Sequence, residues 1–170
     1  MASIYLIRHG QASFGQDDYD QLSSLGHEQA KILGQSLVRR IDAFDCVVTG
    51  TMQRHKQTAD GCLEAFSGSQ PMRSQDHGWD EYDHDDILRG IGSDFVSAEA
   101  ITKYLATQEN PKQAFEDAFN QAMNRWMSGK HDDDYIESWS QYQKRIHDAL
   151  SNIVERTRTR DAGAIVRNVA

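Results

Sequence analysis

The chain opens on an apolar run, Ile4-Tyr5-Leu6-Ile7, that stops at Arg8-His9-Gly10. An unbroken apolar run bounded by a turn signal predicts a short buried strand. Gln11 to Gln21 is polar, holds Gly15 and several aspartates, and predicts a loop. Ser23 or Ser24 can cap a helix, and Ala30, Ile32, Leu33, Leu37 and Ile41 recur at helical spacing, so a helix is expected over about 25–41. Cys46-Val47-Val48 predicts a second strand, ending at Thr49-Gly50-Thr51. Ala59, Cys62, Leu63 and Phe66 then share one face of a helix over about 52–66. Strand, helix, strand, helix in this order predicts an α/β fold with a mostly parallel sheet.

The pattern changes after this. Residues 67–98 are rich in Ser, Asp, His and Gly, with Trp79 and Tyr82 embedded, and read as a long excursion holding one short strand or turn of helix. Ser97 to Gln108 reads as helical. Pro111 suits a helix N-terminus, and Phe115, Phe119, Ala122, Met123 and Trp126 follow at helical spacing. Trp139, Tyr142, Ile146, Leu150 and Val154 predict a last amphipathic helix over Ile136 to Arg156. Gly163-Ala164-Ile165-Val166 predicts the start of a third strand. The whole reads as a single domain over 1–170, with an excursion or cap region at about 67–130.

Composition narrows the function classes. The 170 residues carry a net charge of −8, which disfavours nucleic acid or an anionic membrane surface as partner. A phosphorylated substrate would need a local basic cluster to offset that field. Cys46 and Cys62 lie in segments that read as core, so reduced, buried thiols and a cytoplasmic setting are expected. Neither a basic-then-apolar leader nor a membrane-spanning apolar run is evident. His77 and His84 among their carboxylates, and His131-Asp132-Asp133-Asp134, lack the spacing of zinc or calcium loops. No metal or other cofactor is expected.

The chemistry points to phosphoryl transfer. Imidazole is a competent nucleophile, and guanidinium is a planar clamp for phosphate oxygens. His9 and Arg8 stand where the first strand runs out, and Gly10 lets the backbone turn close to an anion. In an open parallel sheet ligands bind beyond the carboxyl ends of the strands. Arg54 follows the second strand and would face the same crevice, completing a two-arginine clamp. His55, its helical neighbour, should point about 100° away from it, so both facing the phosphate is not expected. His27 and His147 read as solvent-facing.

Three separated stretches carry a resemblance. Leu6-Ile7-Arg8-His9-Gly10, Leu22-Ser23-Ser24-Leu25-Gly26-His27-Glu28-Gln29-Ala30 and Thr49-Gly50-Thr51-Met52-Gln53-Arg54-His55-Lys56-Gln57-Thr58-Ala59 resemble, in order and spacing, the motifs of the histidine phosphatase superfamily, also called the phosphoglycerate mutase-like family. The resemblance implies a three-layer α/β/α sandwich. It implies His9 as the transiently phosphorylated nucleophile, with Arg8 and Arg54 binding the phosphoryl oxygens beside Gly10. Family members place an acid in the excursion, and Glu81 within Trp79-Asp80-Glu81-Tyr82-Asp83 is the implied proton donor. No metal is implied.

The family's second active-site histidine follows a late strand. Laying Ala164-Ile165-Val166 on that strand puts the histidine near Ala170, so it and the last elements are missing from this sequence, as in a truncated or frame-shifted terminus. The late strand would lie beside the first, and a homodimer could cover any edge left open. The expected activity is metal-independent phosphomonoester hydrolysis, on a small phosphorylated substrate or a phosphoprotein. The alternatives are a phosphate-binding or interaction domain with little turnover, and mutase-type phosphotransfer. Ala12-Ser13-Phe14-Gly15-Gln16-Asp17 stands where the mutases carry a different stretch, which favours hydrolysis.

Overall fold

A computed structural model describes residues 3–13, 20–161 and 167–169. Its elements in chain order are β1 (Ser3–Tyr5), α1 (Ser24–Leu37), β2 (Cys46–Thr49), α2 (Gln53–Leu63), β3 (Met72–Gln75), α3 (His84–Arg89), α4 (Ala98–Leu105), α5 (Pro111–Met127), α6 (Trp139–Asp161) and β4 (Arg167–Val169). Short 3-10 turns lie at His77–Trp79, Ser93–Phe95 and Asp132–Asp134. Where the sequence reads as one domain with an excursion at 67–130, the chain divides into two compact units. One holds Met1–Asp80 and Ile146–Ala170, the other Glu81–Arg145.

In the first unit the strands are parallel. β1 pairs with β4 (Ser3 opposite Arg167), and β2 pairs with β3 (Cys46 opposite Met72). Cα atoms of β4 also come within 8 Å of β2, so β4 lies between β1 and β2. Alternation along the strands sorts side chains onto two faces. Val47 packs with Leu37, Ile41, Phe44, Ala59, Cys62 and Leu63 under α1 and α2, joined by Tyr5 and Ile7. Cys46 and Val48 turn the other way, onto Ile153 of α6 with Ile4 and Trp79. Helices on both faces of the strands make the three-layer α/β/α arrangement.

Ser23 caps α1, its hydroxyl accepting from the Gly26 N–H at 3.1 Å. Three local readings need correction. The first strand ends at Tyr5, where its described pairing with β4 stops, and Leu6 is 64% exposed. The excursion contributes β3 to the sheet, so its first part belongs to the first unit. The last helix starts at Trp139, because Ser138 and Gln141 form a reciprocal cap: the Ser138 N–H donates to Gln141 Oε1 at 2.8 Å, and the Gln141 N–H to Ser138 Oγ at 3.3 Å. Of the late strand, the described part is Arg167–Val169. Residues 163–166, and Ala170 where the second histidine was expected, lie outside the described residues.

The second unit has its own core. Ile87, Leu88, Phe95, Ala118, Ala122, Trp126 and Tyr135 are buried together. Trp126 is the centre of an aromatic group, with ring centroids 5.5, 5.0 and 5.3 Å from Tyr82, Trp139 and Tyr142. Its indole N–H donates to the Glu137 carbonyl at 2.9 Å, the polar satisfaction a buried tryptophan needs. Phe119 and Trp139 pack against this core, as their spacing predicts.

Candidate active site

The turn after β1 is tied down by side chains of two helices. The Gly10 N–H donates to Thr58 Oγ1 at 3.0 Å, and that hydroxyl donates to the Arg54 carbonyl at 2.7 Å. The Gln11 N–H donates to Gln29 Oε1 of α1 at 2.9 Å, and the Leu22 N–H to Gln57 Oε1 of α2 at 2.8 Å. Gln29, Gln57 and Thr58 are motif residues whose work is to dock this turn. Gly10 fits because its Cα approaches Gly26 closely: a Cβ at position 10 would stand 2.4 Å from the Gly26 carbonyl oxygen.

His9 is half-buried. Its Nδ1 lies 2.6 Å from the Gly10 carbonyl oxygen. A carbonyl only accepts, so a hydrogen bond there places the proton of the neutral ring on Nδ1. Arg8 is exposed.

Arg54, on the first turn of α2, is 5% exposed. Its N–H donates to the Asp20 carbonyl at 2.7 Å, and its guanidinium Nη1 donates to Asp20 Oδ1 at 3.0 Å. The Asp20 carboxylate also takes the Gln53 N–H at 2.9 Å. Asp20 thus fixes the start of α2, and with it the Arg54 carbonyl that receives the Thr58 hydroxyl. Nothing in the residue pattern singles out Asp20; it sits in a loop of like charges.

His55 departs from expectation. Its ring lies against His9, centroids 5.5 Å apart and planes tilted by 36°. The buried Asp80 carboxylate stands 3.7 Å from its Nδ1. Asp80 in turn accepts from the Thr51 N–H at 2.5 Å and the Thr51 hydroxyl at 2.6 Å, and contacts His77 Nδ1 at 2.8 Å. Burial pushes the Asp80 carboxyl up, but the hydrogen bonds from Thr51 and His77 outweigh it and hold it below the usual carboxylate range. Gly50, at the end of β2, makes room: a Cβ there would stand 2.2 Å from His55 Nδ1 and 2.4 Å from Asp80 Oδ1. Arg54 contacts Asp20, and the His55 ring lies against His9.

Glu81 is exposed and opens the second unit. Within that unit its charge raises the Tyr142 phenol, after the larger effect of burial. Among the described residues, no three His, Cys, Asp or Glu side chains gather as a metal site, and no helix is long and apolar enough to cross a membrane. His27 and His147 are exposed.

Comparison with known proteins follows the same region. A family model described as histidine phosphatase superfamily (branch 1) matches residues 4–113. A 2,3-bisphosphoglycerate-dependent phosphoglycerate mutase of Mesorhizobium japonicum is 32% identical over 99 residues, 54% of this chain and 47% of the relative. A mitochondrial serine/threonine-protein phosphatase Pgam5 of Caenorhabditis briggsae is 36% identical over 72 residues, 42% of this chain and 25% of the relative. The chain therefore spans about half or less of the curated relatives it matches. The solved structure of Bacillus stearothermophilus YhfR is similar over 98% of this chain and 72% of that one, with a TM-score of 0.52 and 20% identity, a likeness of fold.

Proposed function

The chain belongs to the histidine phosphatase superfamily, and from that premise we propose that it hydrolyses a phosphomonoester through a phosphohistidine on His9. The observation that carries this reading is the placement of His9 on the turn after β1, with Nδ1 held 2.6 Å from the Gly10 carbonyl oxygen. That contact supports Nε2 as the nucleophile. In the first step Nε2 attacks phosphorus, the P–N bond forms, the P–O bond to the substrate breaks, and Glu81 gives its proton to the leaving oxygen. In the second, water attacks phosphorus and returns a proton to Glu81 while the P–N bond breaks and phosphate leaves. Arg8 and Arg54 bind phosphoryl oxygens as charge shifts onto them, beside the close-packed Gly10 turn. The substrate is a small phosphorylated compound or a phosphoprotein, and the compartment is the cytoplasm.

The test compares the chain with His9→Ala on p-nitrophenyl phosphate. Loss of turnover by on the order of 10³-fold or more is expected, together with loss of an acid-labile phosphoenzyme. Equal rates in the two proteins would overturn the reading. Vanadate binding without turnover in the unsubstituted chain would favour a phosphate-binding domain instead. Mutase-type transfer has one observation in its favour, the relative bearing that name. It predicts transfer of the phosphoryl group to a phosphoglycerate acceptor in preference to water.

A further inference from the structure

The region between the ends of β1 and β2 contains a second imidazole that the phosphohistidine reading does not use. Four elements of one compact unit build its surroundings. β1 leads into the turn bearing His9, β2 leads to Gly50 and Thr51, α2 carries His55 in its first turn, and the 3-10 turn at His77–Trp79 is followed by Asp80. Asp80 and His55 are both well buried, with side chains 7% and 13% exposed. Burying a carboxylate costs free energy unless partners compensate, and Thr51 supplies two hydrogen bonds to this one. The glycine at 50 is what lets the carboxylate and the imidazole approach.

We propose that His55, oriented by Asp80, is a further catalytic residue of this site, presenting a second imidazole to the phosphoryl group on His9. The inference rests on the phosphohistidine reading. A carboxylate beside Nδ1 orients the ring and directs Nε2 away from Asp80. A phosphoryl group on His9 projects from the ring edge, and a ring packed at 5.5 Å from the His9 centroid is within reach of its oxygens. His55 gives a hydrogen bond and no proton, so the two steps balance as written. It is a preorganised donor aimed at developing negative charge, the kind of group whose removal slows turnover by about 10²–10³-fold.

The test measures turnover and vanadate affinity for the full chain and for His9→Ala, His55→Ala, His55→Gln and Asp80→Asn, with His147→Ala as control. His147 is an exposed residue of α6. Expected are a drop of about 10²-fold or more in kcat and at least about tenfold weaker vanadate binding for His55→Ala. His55→Gln, which keeps a donor, should recover part of both, and Asp80→Asn should fall between. Thermal melts identify any variant that fails to fold, and His55→Gln keeps the question open to test if His55→Ala does. Loss of activity in His9→Ala with kcat and vanadate binding unchanged in both His55 variants would overturn this inference and leave the phosphohistidine reading standing. Full activity in His9→Ala would overturn both.

Discussion

Asp80 shows how one carboxylate can organise several neighbours. Its native carboxyl is held low, so it binds protons less readily folded than unfolded. The sign follows: its contribution is fully present above the ordinary carboxylate value of about 3.9 and is lost as pH falls through the depressed native value. The stability gap between the unsubstituted chain and Asp80→Asn should therefore be full at pH 7 and close below about pH 4 in urea titrations. A gap that ignores pH would refute the electrostatic origin. At this scale the sequence was partly legible. His9, Gly10 and Arg54 stand out because strand-end chemistry and the family motifs mark them. His55 did not, because its orientation depends on where Gly50 lets Asp80 stand, a contact made across residues remote in sequence. Asp80 itself is hidden in a run of carboxylates that reads as solvated.

At the scale of elements, the motif around Thr58 serves mainly to join two parts. Thr58 Oγ1 links the Gly10 N–H to the first turn of α2. Thr58→Val keeps the shape and leaves a buried N–H without its acceptor, which should cost about 1–3 kcal/mol in denaturant unfolding. It should also lower turnover, because the His9 turn loses its anchor; unchanged stability would remove this role. Helices were legible where apolar spacing was strong, as in α1, α2 and α5. The excursion was harder. β3 is exposed at Met72, Arg73 and Gln75, so it carries no apolar signature; its place comes from pairing with β2. The start of α6 was missed because Ile136 extends the apolar pattern, whereas the Ser138–Gln141 cap sets the boundary.

At the scale of the molecule, the two thiols report on the core of the first unit. Cys46 and Cys62 are buried, on opposite faces of that unit's strands. Burial pushes the Cys62 thiol up to about 11, so it is protonated and inert near neutrality. Ellman's reagent at pH 8 should leave both unmodified until urea unfolds the chain; rapid native labelling would contradict the packing. The α/β class with a mostly parallel sheet was legible from element order, and the layering from the family motifs. The partition at Asp80 and Arg145 was not, because it depends on which helices share a core, and periodicity gives only the apolar face of each.

The pairing of β1 with β4 also sets an order of events in time. Ser3 is made well before its partner Arg167. Contacts so distant along the chain form slowly, since the loop they close must lose its freedom first. The strand that leads to His9 thus waits for its neighbour until Arg167–Val169 has been made. Until then its edge is open to chaperones and to other nascent chains. The turn bearing His9 is made long before that pairing and should settle only after it.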